Sequence, residues 1–144
     1  MKILPKFGID QLIFGMKQTD VKNRYGEPDK QFEDEDKNVI WTYDQHQIRL
    51  TFYEDESLRL GYIICSNPAL HISEVSIIGR KVEDIKTELE KHQFKTWEKE
   101  DFDITENHFN EENWLILASE FGRIDKIEMG AIINNNDEFD WKFK

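Results

Sequence analysis

A chain of 144 residues with 38% hydrophobic content, ten Phe, four Trp and four Tyr can bury a core without a cofactor or a disulfide, which excludes a disordered acidic chain. Thirty acids against nineteen bases leave a formal charge of -11; that charge repels a phosphate backbone, excludes nucleic acid as a direct partner and favours a basic protein. No stretch approaches the length of a membrane span and residues 1–8 lack the apolar run of a signal peptide, so a cytoplasmic protein with no membrane contact is expected. The lone Cys65 falls in an apolar run and reads as a buried, unreactive thiol.

In chain order, Gly15 to Tyr25 opens a short amphipathic helix over about residues 19–25, because Val21 and Tyr25 share one face. Thr19 is the expected cap, Gly26 the left-handed terminator and Pro28 the residue that stops the helix resuming. Polar residues to Lys37 then lead into three strands, Val39–Asp44, Gln47–Tyr53 and Leu58–Cys65, that form a meander. Alternation assigns Val39, Trp41, Tyr43, Ile48, Leu50, Phe52, Leu60, Tyr62 and Ile64 to the core. The opposite face carries Ile40, Thr42, Arg49, Thr51, Tyr53, Arg59, Gly61 and Ile63, a semi-apolar mixture.

Gly79 to Leu89 repeats the pattern G-x-K-x-x-D-(V/I)-K-x-x-(Y/L) of Gly15 to Tyr25, and Met129 to Ile133 answers Leu60 to Ile64. A second helix is expected from about Val82 to His92, and the break between halves at Asn67-Pro68, giving units 1–66 and 67–144 in one compact whole. Aligning Gly130 with Gly61 turns Trp114, Ile116, Ala118, Met129, Ala131 and Ile133 inward and leaves Leu115, Leu117 and Ser119 outward. After a turn at residues 134–137, Phe139, Trp141 and Phe143 alternate as a final strand at the sheet edge. The fold class is therefore α+β: two tandem helix-plus-antiparallel-sheet repeats forming one curved sheet, with the helices packed on one face.

No constellation for chemistry emerges. His46, His71, His92 and His108 form no i, i+4 pair and read as surface or capping residues. Asp101, Asp103 and Glu106 lack the glycine and distal glutamate of a calcium loop. Asp29 with Glu33 to Lys37 forms a polar connector rather than a metal-dependent nuclease site. Nucleophile-elbow, phosphate-loop and dinucleotide motifs do not occur. A non-enzymatic protein with no metal and no cofactor is expected.

Phe14-Gly15-Met16, followed by Val21 and by Gly26-Glu27-Pro28, resembles the opening motif of the β-lactamase-inhibitor-protein-like families, which include small outer-membrane assembly lipoproteins; Lys17 stands where those families carry Ser or Thr. The resemblance implies a helical pair packed on an antiparallel sheet, joined in tandem members into a longer curved sheet. It also implies that the concave face and a hairpin tip, here Asp44 to Gln47, grip a target protein.

Together these readings nominate Ile40, Thr42, Asp44, Arg49, Thr51, Tyr53, Arg59, Ile63, Leu115 and Leu117 as a partner-binding face, rimmed by the acidic stretches Glu33 to Asp36, Glu54 to Glu56 and Glu98 to Asp103. The expected function is a protein-binding inhibitor, specifically an intracellular immunity protein that neutralises a basic toxin enzyme. The alternatives are a small-ligand binder or enzyme that uses the sheet as a pocket, and an assembly module that accepts a partner strand at a sheet edge.

Overall fold

In the computed structural model, which describes residues 1–144, three two-residue strands open the chain: β1 (Ile3–Leu4), β2 (Gly8–Ile9) and β3 (Leu12–Ile13), followed by helix α1 (Gln18–Tyr25). A meander follows, made of β4 (Lys30–Glu33), β5 (Val39–Tyr43), β6 (Ile48–Tyr53) and β7 (Arg59–Cys65). The hairpin β8 (His71–Ile72) and β9 (Val75–Ser76) precedes α2 (Val82–Glu90). A second meander ends the regular structure: β10 (Glu98–Phe102), β11 (Thr105–Asn110), β12 (Leu115–Glu120) and β13 (Arg123–Gly130). The two meanders form one eight-stranded antiparallel sheet in the order β10-β11-β12-β13-β7-β6-β5-β4. Their last strands make the join, with Tyr62 opposite Gly130 and Cys65 opposite Ile127. The architecture is α+β, mostly sheet, with two helices.

Neither helix is long enough to be stable alone, so packing holds both. α1 has eight residues and buries Val21, while α2 has nine and buries Val82, Ile85 and Leu89. Both lie on the same face of the sheet. The Tyr43 hydroxyl of β5 donates to the Gly26 carbonyl at the end of α1 (2.8 Å), and Lys86 of α2 approaches His108 of β11 (3.2 Å). Across this face run the rows Trp41, Leu50, Ile63, Met129, Leu115 and Tyr43, Ile48, Cys65, Ile127, Leu117, which join a single cluster of 27 buried residues. Ile3, Ile9 and Leu12 of the small sheet and Ile72 of the hairpin enter the same cluster.

Asp20, not Thr19, caps α1: its carboxylate accepts the Lys17 N–H (2.9 Å), and the helix starts one residue ahead of Thr19. Gly26 terminates it at φ 77, ψ -166, a conformation that is essentially closed to other residues. α2 stops at Glu90, two residues short of His92.

Two β-bulges set the inside and outside of the sheet. In β7, Thr51 pairs with Tyr62 but Phe52 pairs with Leu60, so Gly61 is the extra residue and the side chains beyond it change faces. Ile63 and Cys65 therefore point into the core, and Tyr62 and Ile64 point out, the reverse of strict alternation. In β13 the extra residue is Asp125, since Ala118 pairs with Lys126 and Ser119 with Ile124. Gly130 is the last residue of its strand and is not the counterpart of Gly61. Leu115, Leu117 and Ser119 are consequently buried at 1%, 0% and 1% exposure, correcting the outward assignment that rested on pairing the two glycines.

The tail corrects a second expectation. Residues after Gly130 add no strand to the sheet edge. Ala131 N–H donates to the Gly61 carbonyl, and Lys142 and Phe143 N–H groups donate to the Phe14 carbonyl. Between these anchors Phe139 packs on Tyr53 (5.6 Å between ring centroids) and stacks on Trp141 (4.7 Å). The true edges are β4 and β10, each exposed along its whole length.

Tyr53 lies directly over Gly61: a Cβ built there would fall 2.1 Å from Tyr53 Cε2. Gly61→Ala is therefore expected to cost about 1–3 kcal/mol as overpacking, because Phe139 blocks the ring's retreat. Urea denaturation should show this loss shrinking in a Tyr53→Ala background, where the clash is absent; equal costs in both backgrounds would contradict the packing.

Candidate functional site

The face of the sheet away from the helices carries one row through all eight strands: Lys30, Thr42, Arg49, Ile64, Glu128, Ile116, Phe109 and Glu98. Its charges are sorted, with Lys30 and Arg49 at the β4 end, Glu128 and Glu98 toward the β10 end, and Ile64, Ile116 and Phe109 half-buried between them. The next row holds Phe32, Ile40, Thr51, Tyr62 and Gly130. The Arg49 guanidinium lies over the Phe32 ring at 5.2 Å.

The aromatic side chains of this face form a connected group. Tyr62 stands edge-on to Trp114 (5.4 Å, 84°) and Trp114 edge-on to Phe109 (5.1 Å, 70°). One face of the Trp114 indole rests on Gly130, where a Cβ would fall 2.8 Å from Trp114 Cδ2. The Tyr62 hydroxyl donates to Glu128 Oε1. Burial and then the Glu128 carboxylate push the Tyr62 phenol well above its ordinary range, so it remains a protonated donor.

Beyond Phe109 the face ends in a cavity of about 660 Å³, bordered by Glu98, Phe109, Glu111, Glu112, Trp114 and Ile133. Its wall is a tight turn in which Trp114 adopts φ 49, an uncommon backbone for a bulky residue. Buried side-chain amides hold this turn. Asn110 Oδ1 accepts from Asn113 N–H (3.0 Å) and Asn113 Nδ2 (2.9 Å), while Asn110 Nδ2 donates to the Thr96 carbonyl (3.0 Å). Both asparagines are almost fully buried, so the turn is rigidly supported from within.

Of the residues nominated from sequence, Thr42, Arg49, Thr51 and Tyr53 lie on this open face, and Asp44 is exposed at the β5–β6 turn. Arg59 is committed elsewhere, its guanidinium donating to the Gly15 carbonyl (3.0 Å). Ile40 is 6% exposed, and Ile63, Leu115 and Leu117 face the core, so these four present nothing to a partner. The open face instead displays Tyr62, Ile64, Phe109, Trp114, Ile116 and Glu128. Gly61 in a strand interior is the signal for the first of these, since such a glycine marks a bulge and a change of face.

A second buried titratable cluster lies on the opposite side. His108, placed at the surface by the sequence reading, is 0% exposed on the helix side of β11. Lys86 Nζ lies 3.2 Å from its Nδ1 and Glu106 Oε1 lies 3.2 Å from its Nε2. An ammonium can only donate, so Nδ1 accepts and Nε2–H is directed at the carboxylate. Burial lowers the His108 pKa in spite of Glu106. Stability from this neutral imidazole is fully present above the unfolded value of about 6.5 and is lost as pH falls through the lower folded value. Chemical denaturation between pH 7 and pH 5 should show stability falling with acidification, and His108→Gln should flatten that slope.

No family model matches the chain, and no curated protein matches it. Among solved structures, an extracellular protein containing an SCP domain from Bacillus anthracis str. Ames is similar, with a TM-score of 0.52 at 12% identity over 79% of this chain and 42% of that one. A cysteine-rich secretory protein from Staphylococcus aureus gives a TM-score of 0.47 at 9% identity over 79% of this chain and 43% of that one. The chain thus spans less than half the length of either protein.

The first likeness concerns the fold and corrects two expectations. The β-lactamase-inhibitor-protein-like resemblance is overturned: the chain shares its fold with part of an SCP-domain-containing protein, and each meander is served by one short helix instead of a helical pair. Phe14-Gly15-Met16, which carried that resemblance, is a strap bonded to Leu60, with Gly15 N–H donating to Leu60 O and Leu60 N–H donating to Met16 O. The cytoplasmic assignment is corrected by the same finding: the similar solved protein is itself an extracellular one, which points away from the cytoplasm. A single buried cysteine and a polar opening do not place such a fold in the cytoplasm. No helix is long and apolar enough to cross a membrane.

Proposed function

We propose that the chain is a non-enzymatic protein-binding module that covers a basic partner with the open face of its sheet, in its specific form an immunity-type inhibitor of a basic enzyme. The observation that carries this reading is the half-exposed group Tyr62, Ile64, Phe109, Trp114 and Ile116 in the middle of a face whose ends are charged. An apolar and aromatic centre inside a charged rim is the usual anatomy of a protein interface. The net charge of -11 adds long-range attraction for a basic partner. Strand addition is the weaker alternative, since both edges are studded with charge, Lys30 and Glu33 on β4 and Glu98 to Asp101 on β10.

The same proposal reads the chain as two copies of one unit, 1–66 and 67–144. Equivalent bonds 64 residues apart support it: Arg59 donates to Gly15 O and Arg123 to Gly79 O, both at 3.0 Å. Likewise Leu60 N–H donates to Met16 O and Ile124 N–H to Arg80 O. On this reading the β7–β13 seam lies on an approximate two-fold axis, and the open face is composite, one half from each copy.

A photo-crosslinker placed in turn at Thr51, Glu100 and Thr87 tests the face, Thr87 being exposed on α2. A single basic partner captured from the first two positions and not from Thr87 is expected. With that partner purified, Thr51→Arg and Glu100→Lys should each weaken binding at least ten-fold, and affinity should fall as salt rises. Capture from α2, or binding indifferent to both substitutions, would overturn the reading.

A further inference from the structure

The geometry points to a guanidinium site: we propose that the cavity beside Trp114 receives an arginine side chain of the bound partner. The inference rests on the protein-binding reading and deepens it by naming the group that is read. Three carboxylates, Glu98, Glu111 and Glu112, border the cavity, and no basic side chain lines it. None of the three takes part in any ion pair of the structure, although the chain pairs Glu27, Glu83, Glu88, Asp101, Glu106 and Asp140 internally.

The rings give an independent indication. Trp41, Phe143, Phe32 and Phe7 each carry a cation from this chain over the ring, at 5.2–5.6 Å. Trp114 and Phe109 line the cavity and carry none. These two rings, next to three uncompensated carboxylates in one cavity, are open to an outside cation.

The chemistry selects arginine. A planar guanidinium stacks on an indole and forks to carboxylates at the same time, whereas a lysine ammonium offers only a point charge. Ile132 and Ile133 supply an apolar wall for the methylene stem. An anionic ligand is repelled by the same carboxylates. The buried Asn110 and Asn113 fix the turn beforehand, so little ordering is left to binding.

The indole N–H resonance of Trp114 in the full chain, assigned with Trp114→Phe, provides the readout, and the buried Trp41 provides the control for folding. The probes are N-acetyl-arginine amide, its lysine counterpart and its uncharged citrulline counterpart. A saturable shift of Trp114 is expected with the arginine compound at millimolar concentration and low salt. The lysine compound should act several-fold more weakly and the citrulline compound not at all. Glu98→Gln combined with Glu111→Gln and Glu112→Gln should reduce the response at least ten-fold with the Trp41 resonance unmoved.

No shift, or an equal shift with citrulline, overturns the site. Partner binding that is lost in Thr51→Arg but untouched by the triple glutamine variant sinks the inference and leaves the protein-binding reading standing. Saturable arginine binding in a chain whose open face captures no protein overturns the partner as source and leaves a site for a free guanidinium compound.

Discussion

The extra residue in β7 decides what every neighbouring side chain does. With Gly61 inserted opposite the Thr51–Phe52 step, Leu60 on one side of the bulge and Ile63 and Cys65 on the other all reach the same core, and Tyr62 and Ile64 turn to the open face. A side chain larger than hydrogen at 61 would strike Tyr53, so the ring's place over the bulge requires glycine there. Because β7 pairs with β13, its choice of faces propagates: Ile63 inward fixes Met129 and Leu115 inward, and Ile64 outward fixes Glu128 and Ile116 outward. The open face thus follows from the bulge at Gly61 together with the one at Asp125 in β13.

That face differs in kind from the rest of the surface. Elsewhere, several exposed carboxylates pair with a lysine or an arginine, and the Phe143 and Phe7 rings meet cations of their own chain. On the open face the charges are separated along a row, Lys30 and Arg49 toward one edge and Glu128 and Glu98 toward the other, with apolar side chains between. Such separation costs the isolated chain attraction it could have gained by mixing the signs, and it is the form that gives orientation to a docking partner.

Much of the architecture was legible because local rules and tertiary demands agreed. The strands Val39–Tyr43, Ile48–Tyr53 and Arg59–Cys65 lie within a residue of the ranges read from alternation, and both helices start within a residue of where the Gly15 and Gly79 patterns place them. What failed had physical causes. β4 and β10 are edge strands exposed on both faces, so their sequences need not alternate. β11 turns His108 and Asn110 inward, and polar residues in the core erase the pattern. The open face was half legible: Thr42, Arg49, Thr51 and Tyr53 follow from period two, whereas Ile64 and Ile116 required knowing where each bulge falls. Trp114 belongs to the site only because Gly130 leaves room for its ring, a fact of space rather than of sequence spacing.

The seam between β7 and β13 joins residues more than sixty positions apart in the chain. Closing so long a loop is entropically costly before the contacts reward it, so the seam belongs late in folding. During synthesis β7 must wait as an unpaired edge until the final strand emerges, and unlike β4 and β10 it carries few charges to discourage the wrong neighbour. Arg59 is its one charged residue. The vulnerable moment in the life of this protein is therefore the interval before β13 arrives, when the future centre of the sheet is still its border.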